Sequence, residues 1–163
     1  MGTAEIKYSL HSASSESEYR IAKALFLEYA GSLEFDLCFQ HFDKELDEIQ
    51  IQYGSHSGGI VLLKSNEDYA GCAGIRKFDE DIAELKRMYI KPSFRGCGFG
   101  KPLLNAAIDL AQSLGYKKMR LDTISTMKAA IKLYIEAGFK ETEPYRFNPV
   151  EGVRYFEMDI SKT

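Results

Sequence analysis

The residues with the clearest chemical potential lie in one stretch, Arg95-Gly96-Cys97-Gly98-Phe99-Gly100-Lys101. Glycines at alternate positions let the backbone approach a ligand closely, and the apolar period beginning after Lys101 predicts a helix whose first N–H groups lack internal partners. Such a terminus, with Arg95 and Lys101 beside it, suits an anion and above all a phosphate. A tight strand-to-helix turn that needs glycine only for its dihedrals is the plain alternative. Two nucleotide patterns fit poorly. A Walker loop needs Lys followed by Ser or Thr, whereas Pro102 follows Lys101; the dinucleotide fingerprint meets Leu103 where its third glycine belongs, although Asp122 lies nearby.

Other reactive side chains form no constellation. Cys97 has no histidine at a readable spacing to activate it, which argues against a covalent acyl-enzyme. His11, His41 and His56 are scattered, and Cys38, Cys72 and Cys97 make no CxxC pair, so no metal site is expected and the cysteines read as free thiols in a reducing compartment.

The elements that must position the loop follow from periodicity. Ile6, Tyr8 and Leu10 alternate as a strand, and Ser15 with Glu18 has the spacing of a capping box before a helical stripe of Ile21, Ala22, Leu25, Phe26 and Tyr29 that runs to Gly31. Phe39, Phe42, Leu46 and Ile49 trace a second stripe. Turns at Ser65 to Asp68 and at Asp79 to Asp81 divide apolar runs at Ile60 to Leu63, from Tyr69, and at Ile82 to Ile90, which predicts three antiparallel strands side by side. After the loop, Leu103, Leu104, Ala107, Ile108, Ala111 and Leu114 form a helix stopped by Gly115, and a strand covers Lys117 to Ile124. Met127, Ala130, Ile131, Tyr134 and Ile135 form another helix ending at Gly138, and strands near Phe139 to Glu143 and Val153 to Ile160 close the chain.

With 163 residues and no linker or repeat, the chain is expected to be one domain over 1–163. Its net charge of −3 comes from interleaved acids and bases, which excludes an electrostatic footprint for nucleic acid or a membrane surface. Ile6 stands where a myristoylation signal needs Ser or Thr, and no apolar run is long enough for a signal peptide or membrane span, so a cytoplasmic protein is expected.

Arg95 to Gly100 resembles the Arg/Gln-x-x-Gly-x-Gly/Ala signature of the GNAT (Gcn5-related N-acetyltransferase) superfamily. The preceding Ala83 to Pro92 is similar to that family's fourth strand, and Ala130 to Phe139, with Leu133-Tyr134 and Gly138-Phe139, is similar to its second motif. The likeness is strongest between Ala83 and Phe139. It implies an α/β (α+β) GNAT fold, with a central mixed, mostly antiparallel sheet of about seven strands flanked by about four helices and splayed between strands 4 and 5. It also implies a transferase that moves acetyl from acetyl-CoA to a primary amine of a small molecule or peptide by direct attack, without a metal. A non-catalytic acyl-CoA-binding sensor or interaction module is the alternative, and a homodimer is compatible with the resemblance.

On that reading the backbone of Arg95, Gly96, Cys97, Gly98, Phe99, Gly100 and Lys101 holds the CoA pyrophosphate, with Phe99 packing outside the cradle. Met88, Tyr89 and Ile90 break the period of two, as a bulged strand does, and the family places pantetheine there with the Met88 N–H facing the thioester oxygen. Such a donor is worth about 3 kcal/mol in an oxyanion hole. Tyr134 is the implied general acid to the CoA thiolate, and Glu84, six residues before Ile90, resembles the base of histone-type members, with a water chain, as in many small-molecule relatives, the alternative. Thr126 stands near where many relatives carry a cofactor-binding Asn, and Pro102 is unusual after the loop, although at a first helical turn it forfeits only an N–H without an internal partner. The segment from Tyr145 to Gly152 is the expected acceptor wall, in which Arg146 could pair a substrate carboxylate; a similar segment occurs in bacterial members.

Overall fold

In a computed structural model, which describes residues 6–37, 41–54 and 56–162, seven strands form one sheet in the order β1-β2-β3-β4-β5-β7-β6. These are β1 (Tyr8–Ser12), β2 (Gly59–Ser65), β3 (Asp68–Lys77), β4 (Ile82–Ile90), β5 (Lys118–Ile124), β6 (Lys140–Thr142) and β7 (Val153–Asp159), with helices α1 (Glu16–Ser32), α2 (Phe42–Asp47), α3 (Ile49–Tyr53), α4 (Gly100–Ser113) and α5 (Lys128–Ala137). All neighbours are antiparallel except β4 and β5, so the sheet is mixed as expected.

The sheet is covered on both faces, which explains its continuous apolar runs. In β2, Ile60 and Leu62 pack with α1–α3 against Leu25, Phe26 and Tyr53, while Val61 and Leu63 belong to the opposite core with Leu103, Leu104, Met119 and Phe156. The capping box forms: Ser15 Oγ accepts from the Glu18 N–H at 3.2 Å, and Glu18 Oε1 accepts from the Ser15 N–H at 3.1 Å. Helix α1 runs one residue beyond Gly31, where Ser32 Oγ donates back to the Tyr29 carbonyl. The second stripe is two short helices rather than one, because Glu48 leaves helical geometry at φ −107° and ψ 23°. Phe42, Leu46 and Ile49 are buried there as expected, and Phe39 and Cys38 lie outside the described residues.

Two irregularities shape the centre. Strands β4 and β5 pair only from Ile82↔Lys118 to Glu84↔Arg120 and then diverge, leaving the far end of β4 without a partner on that side. On the other side, Cys72 faces Tyr89 but Gly74 faces Lys86, so β4 spends two residues, Arg87 and Met88, against Ala73 alone. Arg87 takes the left-handed conformation at φ 56°, as one residue of a bulge can. The inserted residue reverses the alternation: Ala83 and Leu85 lie on the α4 and α5 face, and after the bulge Met88 and Ile90 continue it. The irregularity thus begins one residue before the predicted Met88-Tyr89-Ile90.

Candidate active site

After β4 the chain makes a 3-10 turn at Pro92–Phe94 and enters the glycine loop. Arg95 turns back, its Nε donating to the Ile90 carbonyl at 3.1 Å and its guanidinium lying 5.8 Å from the Tyr89 ring centre. Gly96 and Gly98 adopt φ of +81° and +79°, which L side chains rarely tolerate, and open space surrounds the place where each Cβ would stand. The glycines therefore serve the backbone shape and leave its outer side clear for a ligand. Phe99 is 2% exposed and packs on Tyr8 and Phe94, so its side chain anchors the loop in the core. Gly100 opens α4, with Pro102 inside the first turn and Lys101 exposed beside it. Open backbone, a helix terminus and two cations fit a pyrophosphate.

The divergence of β4 from β5 opens a cleft of about 490 Å³. Six of the sequence-predicted residues line it together: Met88, Tyr89, Ile90, Arg95, Thr126 and Tyr134. Gly96, Cys97, Gly98, Phe99, Gly100 and Lys101 lie outside that wall. Cys97 is half-buried against the core and remains a free thiol.

Tyr134 is carried by α5, whose end is fixed by Gly138 at φ +115° and by the Phe139 N–H donating to the Tyr134 carbonyl. Its ring meets Phe139 edge-on at 5.8 Å, and its hydroxyl reaches the Met88 sulfur at 4.0 Å, a weak acceptor. Burial drives its phenol far above the ordinary value, so it is a neutral O–H donor at pH 7. Residues 46 positions apart therefore meet in the cleft.

Glu84 and Arg146 are placed otherwise than expected. Glu84 is 1% exposed and does not reach the cleft wall. Its Oε1 accepts from Arg146 at 2.8 Å and lies 3.6 Å from Arg76, while Tyr145 Oη donates to its Oε2 at 3.5 Å. A base must reach the acceptor nitrogen; this carboxylate is committed to ion pairs because two guanidiniums and a phenol enclose it. The same contacts occupy Arg146, which therefore pairs with Glu84 rather than presenting itself to a substrate carboxylate.

Sequence reasoning also missed the far wall of the cleft. Asp122, noticed earlier only for its distance from the glycines, sits on β5 in the cleft and accepts from Asn148 Nδ2 at 3.3 Å. Arg87, in the bulge, forms two hydrogen bonds with Glu45 of α2, at 2.9 and 3.0 Å, and lies over Phe42. Burial alone would raise the Glu45 carboxyl, but Arg87 overrides it and holds the group below its ordinary value. Lys86 and Arg87 in succession, just before the predicted bulge, break the alternation of the strand and were the available signal for Arg87; no local pattern points to Glu45.

Comparisons with known proteins match this geometry. The model of the acetyltransferase (GNAT) family matches residues 22–139. An uncharacterized N-acetyltransferase of Schizosaccharomyces pombe is 37% identical over 142 residues, covering 86% of this chain and 87% of its own. An acetyltransferase of the GNAT family from Staphylococcus aureus superposes with a TM-score of 0.77 at 21% identity, over 95% of this chain and 100% of its own. A Salmonella typhimurium chain assigned as an acetyltransferase and solved with its cofactor acetyl-CoA gives a TM-score of 0.72 at 14% identity, over 96% of each chain. The chain belongs to the GNAT family of acetyl-CoA-dependent N-acetyltransferases.

Proposed function

We propose that the protein transfers the acetyl group of acetyl-CoA to a primary amine of a small molecule or peptide by direct attack within a ternary complex. The observation that carries this reading is the meeting of the Met88 bulge and the Tyr134 hydroxyl in one cleft beside the glycine loop. Acetyl-CoA supplies the thioester, and the backbone of Arg95 to Lys101 holds its pyrophosphate. Met88, Tyr89 and Ile90 line the pantetheine channel, with Thr126 on the opposite rim, and the Met88 N–H donates to the oxygen that gains charge as the amine attacks.

An alkylammonium is only about one part in 10³ to 10⁴ neutral at pH 7, so a proton must leave before attack. With Glu84 sealed in ion pairs, we assign that proton to solvent through the open cleft, and Glu84 to positioning Arg146 and its loop. The N–C bond then forms as the C–S bond breaks. The amine gives up its second proton to solvent, and Tyr134 protonates the departing sulfur and is reprotonated from water.

The test is ligand stabilisation followed by turnover. Acetyl-CoA at 100 times its Kd should add about 2.7 kcal/mol of stability where NAD and ATP add none, and a panel of amines should release free thiol. Stabilisation without thiol release from any amine would instead indicate an acyl-CoA-binding module; a preference for NAD or ATP would overturn both.

A further inference from the structure

Among the described residues that line the cleft, Asp122 of β5 is the only aspartate or glutamate, and it also lines the smaller recess that shares Tyr29, Arg87 and Met127 with the cleft. The sheet explains its place. Strands β4 and β5 pair as far as Glu84↔Arg120 and then part, so Asp122, two residues beyond that last pair, borders the gap between them.

Its surroundings differ in kind from those of Glu84. Two guanidiniums and a phenol enclose Glu84, whereas the hydrogen bond made to Asp122 comes from a neutral amide, Asn148 Nδ2, onto Oδ2. A carboxylate offers about four acceptor positions, so this bond leaves room for a ligand at Oδ1. The cations of the facing strand are Lys86 and Arg87; Arg87 is neutralised by its bidentate pair with Glu45, and Lys86 is engaged within the fold. Tyr134 of α5 and Tyr29 of α1 complete the setting. Burial above all raises both phenols, and the Asp122 charge adds to that rise. The cleft thus holds a hydroxyl kept neutral and a carboxylate, a pair whose environments suit them to opposite proton transfers.

An acceptor amine enters as an ammonium, because an alkylamine is almost wholly protonated at pH 7. A carboxylate draws that ion in through a charge-assisted hydrogen bond, and a group within such reach of the nitrogen is also placed to take its proton. We propose that Asp122 is the catalytic residue that receives the acceptor's ammonium and accepts its first proton, a role that rests on the acetyltransfer reading. The N–H bond breaks toward Asp122 Oδ1, the freed lone pair of the nitrogen attacks the thioester carbon, and Asp122 passes the proton to the solvent of the cleft. The C–S bond then breaks and Tyr134 protonates the sulfur, as above.

Asp122→Asn keeps the size of the side chain and an oxygen for Asn148, so CoA should raise its melting temperature as it does that of the parent. At pH 7 its kcat/KM for an alkylamine that the parent acetylates, followed by thiol release, should fall by about 10²–10⁴-fold. Two readouts separate a proton acceptor from a structural residue. The variant uses only amine that is already neutral, so its kcat/KM should climb about tenfold per pH unit below the amine's own pKa, while that of the parent stays nearly level. Lys86, lowered by burial to about 8, and the phenols of Tyr29 and Tyr134 are common to both proteins, so the difference between the two profiles belongs to Asp122. An analogue with fluorines on the carbon next to the aminomethyl group, whose nitrogen is largely neutral at pH 7, should be acetylated at nearly the same rate by both proteins. Parallel pH profiles, an equal loss with the fluorinated amine, or the same loss in Asn148→Ala, which frees the loop before β7 but keeps the carboxylate, would overturn the inference and leave Asp122 as a loop anchor. If no amine releases thiol, the acetyltransfer reading fails. Alkylamines that then raise the melting temperature of the CoA-loaded parent but not of Asp122→Asn would keep Asp122 as an ammonium site, and equal melting temperatures would overturn that as well.

Discussion

From Ile90 to Phe139 the turns on the cofactor side of the cleft are set by contacts between near neighbours in sequence, Arg95 donating to Ile90, five residues back, and the Phe139 N–H closing on Tyr134, while Phe99 on Tyr8 and Tyr134 on Met88 tie them to the rest of the fold. The opposite side is held by a ladder of buried and half-buried charges, Arg87 to Glu45, Glu45 to Arg76, Arg76 to Glu84 and Glu84 to Arg146, whose rungs join residues 42, 31, eight and 62 positions apart. One side takes its turns from local geometry. The other exists only once α2, β3, β4 and the loop before β7 have come together. The cofactor wall should therefore lose chemistry when altered, and the ladder should lose the fold.

The first test of that contrast is the largest. Glu45→Ala leaves Arg87, 3% exposed, without its bidentate partner, and breaking a buried pair costs about 3–5 kcal/mol. Urea unfolding should show a fall of that size, enough to unfold much of a marginal domain. A loss below about 1 kcal/mol would mean that water reaches the ladder and that the two sides are not built so differently. Tyr134→Phe is the counterpart on the cofactor side. It keeps the ring against Phe139 and removes only a hydroxyl whose contact is a thioether sulfur. Stability and CoA binding should be nearly unchanged while kcat falls by about 10²–10⁴-fold. Equal rates would remove Tyr134 from the mechanism.

What could be read from the sequence follows the same division. All seven strands were legible because apolar period and turn residues specify them locally, and the ends of β4 match the expected Ile82 to Ile90. The glycine loop and Tyr134 were legible through spacing within a few dozen residues. The surroundings of Glu84, the candidate base with a water chain as its rival, were not legible, because period shows that a strand residue is polar but not which arginines enclose it; Arg76, Arg146 and Tyr145 come from two other elements. The partner of Arg146 was hidden for the same reason. The stripe from Phe42 to Ile49 gave the right buried residues but not the break at Glu48, since both short helices bury the same face.

A smaller effect probes the cofactor wall alone. Gly98→Ala meets no atom within 4 Å, so its cost is conformational: a left-handed residue with a Cβ loses about 1–2 kcal/mol. If the loop relaxes to escape that strain, the stabilisation given by CoA should shrink, while acceptor selectivity among amines that still turn over stays as it was. A full-sized CoA shift in Gly98→Ala would mean that φ at this position is not what shapes the cradle.

The smallest effect separates sequence distance from side of the cleft, because the cap of α1 is a local motif on the ladder's side. Ser15→Ala removes the acceptor of the Glu18 N–H and should cost about 1 kcal/mol, measured by urea unfolding. Glu18 supplies the pH dependence. The N–H groups of Ser14 and Ser15 pull its carboxyl from 4.5 down to about 2, so the folded protein binds this proton less readily than the unfolded chain. Its contribution is complete above pH 4.5 and disappears as pH falls through about 2. Glu18→Gln should therefore lie below the parent in stability at neutral pH, where His11 also reaches the carboxylate at 2.7 Å, and converge with it toward pH 2. A gap that persists in acid would assign the helix start to packing of Tyr19 and Ala22, and the cap would join the ladder as something only the assembled fold provides.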